Sequence, residues 1–276
     1  MINKIYGSLL TLFLMLLTSM VHAAPRVVVS IPSLHSLVVE LMQGAEQPQL
    51  ILAQDMADSG EMDAFQKTQM IAADMVIWVG PGLETPMAHT LAELPILNNK
   101  LITLSNYVPL LARDDYQGSL ESRQLSRDLR FLTDPRLAVM AVRMITPRLV
   151  RLDPEHQELY LDNEIALIGK LKKLEQDITA MFTPFAAQPV MLSGVEPYFA
   201  HRFIPAMASR NSQSSGGLYK VSSRQLLSCT GEQGIAATMG YFQRMKHMAQ
   251  AVYSCIKASP QQTKVAEQQR PGKQHI

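Results

Sequence analysis

RVVVSIPSLHSLVVELMQG, residues Arg26 to Gly44, is the stretch whose reading decides the fold. A β-branched run from Arg26 to Ile31 is followed by Pro32 and Ser33, and Leu34, Leu37, Val38, Leu41 and Met42 then recur at helical spacing until Gly44. β-branched side chains lose freedom against a preceding helical turn and pack well on a pleated surface, so this is a strand feeding a helix that a glycine stops. The same alternation continues downstream. Gln49–Leu52 reads as a strand, Ala64–Ala73 as a helix, and Met75–Val79 as a strand that runs into Gly80, Pro81 and Gly82. Thr85–Leu94 is a helix and Leu101–Leu104 a strand. Strands separated by helices imply a parallel sheet, because only a crossover returns the chain to the edge from which it started. A first α/β lobe closes near residue 112, and the polar, unpatterned Arg113–Arg127 is a loop.

Two Asp-Pro pairs follow, each a helix start with Asp as cap and Pro pre-set in the first turn. Asp134 and Pro135 open a helix to about Val150, and Asp153 and Pro154 open a longer one. Leu161, Ile165, Ile168, Leu171, Leu174, Ile178 and Met181 mark one face of the long helix before Pro184 ends it. At 1.5 Å per residue it runs about 40 Å, enough to act as a strut between two lobes. Beyond it, Pro189–Leu192 is a strand, Glu196–Phe203 a helix, Ala208–Gly217 a surface loop, Leu218–Val221 a strand and Met239–Ile256 a terminal helix. The expected fold class is therefore α/β, with two lobes carrying parallel-type sheets, a long rigid interlobe helix and a small second lobe. The expected boundaries are a signal peptide at 1–23, an N-terminal lobe at 24–132, interlobe helices at 133–185, a small C-terminal lobe at 186–258 and a flexible tail at 259–276.

The amino end sets the compartment. Lys4 precedes an apolar run from Leu9 to Leu17, and Val21, His22 and Ala23 suit a cleavage site, which together read as a secretory signal peptide cut after Ala23. The run falls short of the roughly 20 residues that a membrane span needs. Lys plus Arg number 25 against 24 Asp plus Glu, and removing residues 1–23 takes away Lys4 alone, so the mature chain is neutral. A neutral chain without a basic stripe gives no electrostatic reason to bind nucleic acid or an acidic membrane surface. The two cysteines, Cys229 and Cys255, enter an oxidising compartment and read as a disulfide. Closing that loop adds about 3 kcal/mol if the geometry is unstrained. The alternatives are two buried thiols or a metal or redox pair, the latter without CxxC spacing.

The chain resembles the cluster A-I substrate-binding proteins of zinc and manganese ABC importers, the ZnuA and TroA type. The residues carrying the resemblance are VVVSIPSLHSLVVELMQG at Val27–Gly44, AADMVIWVGPGLE at Ala72–Glu84 and TDPRLAVMAVRMITPRLVRLDPEH at Thr133–His156. YFAHRF at Tyr198–Phe203 and YSCIKAS at Tyr253–Ser259 add to it. The resemblance implies a periplasmic protein that captures a metal between two lobes and docks on a permease.

The same resemblance implies three histidines and an acidic residue as ligands, and this sequence departs at each position. Counting from the shared motifs places Asp58 where the first histidine stands, in a loop with Asp55, Glu61 and Asp63. Arg130 takes the second position and Ser193 the third, and the acidic ligand's segment between the cysteines is shortened. A guanidinium is always charged and repels a divalent cation in a shared cleft. Asp58 and Glu61 remain as metal candidates, for Zn(II) or another divalent cation, and one reading of Arg130 is that it faces the acidic loop as a salt bridge in the vacated site. DMADSGEMD lacks the ligand order of an EF-hand loop. His35, His156, His201 and His247 fall on predicted helices with no second His four residues away. Met245, His247 and Met248 suggest a Cu(I) cluster, but Met245 and Met248 share a face with Val252 and read as core. No GxSxG, P-loop or HExxH occurs, so the chain is read as a binding protein and not an enzyme. Two readings stand: a periplasmic substrate-binding-type component of a metal import system with a diverged cleft, or a homologue that binds no metal and acts through contacts with an ABC permease or another periplasmic protein.

Overall fold

The computed structural model describes residues 24–53, 60–112, 127–185, 195–204 and 239–258, together with the backbone of 192–193 and 227–228. The signal peptide expected at 1–23, Asp55, Asp58, the loop expected at 113–127 apart from Arg127, the strand expected at Leu218–Val221, Cys229 and the tail from Ser259 lie outside these residues.

Strand β1 (Val27–Val29) is buried along its whole length, as the central strand of a sheet covered on both faces must be. Helix α1 (Pro32–Leu41) follows it, with Pro32 in its first turn and Leu34, Leu37, Val38 and Leu41 turned inward. Gly44, at a φ of 94°, ends that turn in a conformation L side chains rarely adopt, and a Cβ there would meet Leu159 Cδ1 at 2.8 Å. Then come β2 (Gln49–Leu50), α2 (Ala64–Ala72), β3 (Met75–Trp78), α3 (Thr85–Glu93) and β4 (Leu101–Thr103). The four strands are all parallel in the order β2-β1-β3-β4, with Val28 opposite Gln49 and Val76, and Ile77 opposite Ile102. The connections therefore run outward in opposite directions from the β1/β3 pair. Asp63 starts α2 with a capping box, its carboxylate accepting from the Gln66 amide while the Gln66 side chain accepts from the Asp63 amide.

Helix α4 (Pro135–Leu152) begins as its sequence implies: the Asp134 carboxylate accepts from the Arg136 amide and Pro135 occupies the first turn. It runs through Pro147, which is exposed, so the lost backbone donor faces water. The second Asp-Pro pair behaves differently. Asp153 caps no helix with its side chain; Pro154–His156 form a short 3-10 turn, and α5 starts only at Gln157 and ends at Phe182. The Asp153 carboxylate is instead buried and accepts from the Tyr160 hydroxyl at 2.7 Å, with His156 Nδ1 at 2.8 Å. Burial, then that hydrogen bond and the carboxylate's charge, raise the Tyr160 pKa well above that of an ordinary phenol.

The apolar face expected for the long helix holds at Leu171, Leu174 and Ile178 and is corrected at its amino end, where Tyr160 and Leu167 are buried and Leu161 and Ile165 lie in solvent, Ile165 at 71% exposure; Phe182 is buried at the other end. Ile168 and Met181 pack at the edge of the core.

The remaining described elements are β5 (Leu192–Ser193), α6 (Pro197–Phe203), β6 (Leu227–Ser228) and α7 (Tyr241–Lys257). β5 and β6 pair in parallel, with Leu192 opposite Leu227. α5 packs on α1, α4, α6 and α7. The buried side chains, from Val27 to Ile256, belong to one contiguous hydrophobic cluster. Phe182 belongs to it, edge-on to Phe199 at 5.8 Å and to Tyr253 at 6.4 Å between ring centroids. α7 also reaches the first sheet's side: Ser36 Oγ accepts from the Tyr241 amide at 2.7 Å, and the Tyr241 hydroxyl donates to the Leu132 carbonyl at 2.9 Å. No described helix is long and apolar enough to cross a membrane.

Candidate functional site

In an open parallel sheet the backbone leaves a crevice at the carboxyl ends of the two strands from which the connections diverge. Here those strands are β1 and β3. Ser30 follows β1 and its hydroxyl donates to Glu84 Oε1; the amides of Val79 and Gly80, after β3, donate to the same carboxylate at 3.1 and 2.7 Å. Glu84 is wholly buried, and these donors offset the cost of removing its charge from water. The carboxylate thereby fixes the Gly80-Pro81-Gly82 turn. A Cβ on Gly80 would lie 2.5 Å from Ser105 Oγ, so glycine is needed for the close approach of the segment after β4.

Leu129 covers this turn: its Cδ1 would stand 3.4 Å from a Cβ at Gly80 and 3.2 Å from one at Gly82. On either side of Leu129 are Asp128 and Arg130. Asp128 Oδ1 accepts from the Arg130 amide at 2.8 Å and from its Nε at 3.1 Å, and Oδ2 accepts from Nη2 at 2.5 Å. The Arg130 Nη1 lies 3.0 Å from Glu196 Oε2 at the start of α6. The side chains of Asp128 and Glu196 are 3% and 10% exposed, and that of Arg130 is 35% exposed. A single guanidinium thus spans two carboxylates that have left water, one from the segment before α4 and one from the entrance to α6.

Tyr198, in the first turn of α6, locks the same place from below. Its hydroxyl donates to the Asp128 carbonyl at 2.7 Å and accepts from the Leu111 amide at 2.8 Å. Burial, the largest cause, and the Asp128 charge push its pKa up to about 12 against the opposing pull of the Leu111 amide and of Arg127 and Arg130. Leu111 and Ala112 are tied here too, by the Asp128 amide donating to the Leu111 carbonyl and by the bridge between Ala112 and Arg127.

Of the residues singled out from sequence, Arg130 is the one brought into this constellation. Its ion pairs run to Asp128 and Glu196, neither of which was singled out; Asp55 and Asp58 of the acidic loop, from which its partner was expected, lie outside the described residues. Asp128 precedes Arg130 by two residues and opens an Asx-type turn, a local signal that sequence could have yielded. Glu196 is 66 residues away and is brought in only by the fold. Glu61 is exposed, and Asp63 is spent on the α2 cap. Asp58 and Cys229 lie outside the described residues, Ser193 is placed by its backbone in β5, and Cys255 lies on α7 at the core's edge. The described residues hold no group of three or more His, Cys, Asp and Glu arranged to take a metal. A fixed cation held between the two buried carboxylates also does not fit a divalent ion at the same place. Met245 and Met248 are buried in line with Val252, as core packing requires, and His247 is half-buried.

A sequence model of the family described as zinc-uptake complex component A, periplasmic, matches residues 27–208. No curated protein matches the chain. Among solved structures, the chain is similar to the periplasmic zinc-binding protein TroA from Treponema pallidum, with 16% identity, 85% of this chain and 99% of that one covered, and a TM-score of 0.62. It is similar to a ZnuA deletion mutant with zinc bound, with 17% identity, 86% and 100% covered and a TM-score of 0.63. A Zn(II)-bound AdcAII variant from Streptococcus pneumoniae is 23% identical, with 65% of this chain and 67% of that one covered and a TM-score of 0.55.

Proposed function

The chain belongs to the zinc-uptake complex component A family of periplasmic proteins, and from that premise we propose that it serves a metal ABC import system as a substrate-binding-type component whose cleft has been rebuilt around an internal cation. The observation that carries this reading is the Arg130 guanidinium held between the buried carboxylates of Asp128 and Glu196. Arg130 stands at the position where the family resemblance places a histidine ligand, and a guanidinium supplies charge but no lone pair for a metal. Any divalent cargo, Zn(II) included, then depends on oxygen donors at Asp58 and Glu61. Two lobes, at 24–132 and 186–258, are joined through the helices of 133–185, and the lobe surfaces dock on an ABC permease. Export follows cleavage after Ala23, and Cys229 pairs with Cys255 in the periplasm; that no described cysteine is free agrees with the pairing.

The same triad favours a second reading, in which the protein takes no metal and acts through protein contacts alone. With its own cation in place, both buried carboxylates of the cleft have an ion-pair partner without a ligand. Titration of the metal-stripped mature protein with Zn(II), Mn(II) and Cu(I), followed by heat and by melting temperature, separates the two. A metal that binds only the folded protein adds about 2.7 kcal/mol of stability at 100 times its dissociation constant, which a melting curve resolves. No response to any metal sinks the transport reading and leaves the second. Tight zinc binding that survives Asp58→Ala unchanged removes Asp58 from the site.

A further inference from the structure

At the edge of the four-stranded sheet opposite Arg130, a cavity of about 200 Å³ opens between the amino ends of β3 and β4 and the last turn of α4. Its lining includes Lys100, Arg148 and Arg151, with Asn99 beside them and Asp74 as the one acidic side chain. Asp74 is already engaged, accepting from the Arg26 amide at 2.8 Å with the Arg26 Nε at 3.9 Å. Lys100 donates to the carbonyls of Ile71 and Ala73, both at 2.6 Å, which caps α2 and leaves its third N–H uncommitted.

The arginines have nothing comparable. α4 carries Arg136, Arg143, Arg148 and Arg151 and no acidic residue. Arg136 reaches Asp134 and Glu175, at 3.3 and 3.6 Å. Arg148 and Arg151 have no hydrogen-bonded or ion-paired partner among the described residues. We propose that this cavity is a binding site for a small oxyanion, held by the Arg148 and Arg151 guanidiniums with Asn99 and the spare Lys100 N–H completing the donor set. Guanidinium forks match the paired oxygens of phosphate and carboxylate groups, and two of them at the wall of a concave surface hold a positive potential that water alone must otherwise screen. The buried ends of β3 and β4 form its floor, so the donors are carried by rigid elements. The site is distinct from the Arg130 cleft, since the full thickness of the sheet from its amino to its carboxyl edge lies between them.

The competing explanation is that Arg148 and Arg151 serve only the carboxyl end of α4, where cations are favoured by the helix dipole. Calorimetry and thermal melts of the mature protein, with inorganic phosphate or succinate against sodium chloride at matched ionic strength, decide between them. The expected result is saturable binding and a rise in melting temperature for phosphate, succinate or both. The Arg148→Gln/Arg151→Gln double variant should weaken that binding at least about tenfold, the loss of one charge-assisted hydrogen bond. Arg143→Gln, on the same helix and outside the cavity, should leave it unchanged. A response to phosphate alone assigns the site to phosphoryl groups and one to succinate alone to carboxylates. No response beyond sodium chloride overturns the proposal. So does a loss in Arg143→Gln equal to that in the double variant.

Discussion

The two edges of the four-stranded sheet treat arginine in opposite ways. At the carboxyl edge Arg130 is enclosed by Asp128 and Glu196, so its charge is consumed by the protein itself. At the amino edge Arg148 and Arg151 face a cavity with no internal partner among the described residues. The same residue type is a structural part in one place and an unfilled donor in the other. What separates them is whether the fold carries a buried carboxylate to it.

Removing the enclosed charge tests this contrast most severely. Arg130→Ala leaves two desolvated carboxylates without their cation and is expected to cost about 3–5 kcal/mol, read as a fall in the urea midpoint. A loss below about 1 kcal/mol would mean that water, and not Arg130, satisfies Asp128 and Glu196.

The carboxyl edge also carries a phenol that sharpens the comparison by pH. Tyr198 holds its proton more tightly when folded, with its pKa raised from 10.0 to about 12, and burial raises Tyr160 and Tyr241 as well. Such groups give stability that is whole below pH 10 and lost as pH climbs through the folded value, because the unfolded chain releases its protons first. Tyr198→Phe isolates one of them. The stability gap between wild type and this variant should narrow between pH 10 and pH 12 by on the order of 2–3 kcal/mol, measured by urea unfolding at each pH. A gap that does not change with pH excludes Tyr198 from the alkaline transition.

The smallest effect is expected at the amino edge. Arg148→Gln/Arg151→Gln, without added anion, should shift unfolding by less than about 1 kcal/mol, the scale of charges at a helix end. A shift as large as that of Arg130→Ala would show that the two edges are equally structural.

Much of the fold is legible from local pattern. β1 and α1 follow from the β-branched run and the spacing of Leu34, Leu37, Val38 and Leu41, and each of the four strands of the first sheet lies where its apolar run placed it. The Asp134 cap is likewise local, joining residues two apart. The errors fall where a distant partner intervenes. Leu161 and Ile165 have the spacing of a core stripe, but at that end of the helix Tyr160 is the buried residue, its hydroxyl satisfying a buried Asp153. β6 is two residues long and becomes a strand only through its pairing with β5, so Leu227 and Ser228 carry too little pattern to stand out. At the site, the arginine could be read, Asp128 two residues before it left a local signal, and Glu196 could not be read.

Sequence by itself determined the alternation of strands and helices, the family, and the presence of a permanently charged side chain at Arg130. Those are properties of single residues and of their periodicity within one element. The tertiary structure alone decided what that charge does. Glu196 meets Arg130 across 66 residues because α6 packs on α5, and no such partner meets Arg148 or Arg151 among the described residues. A charge is fixed by its side chain, but its neighbours and its exposure to water are fixed by packing, and these decide whether it neutralises the protein or awaits a ligand.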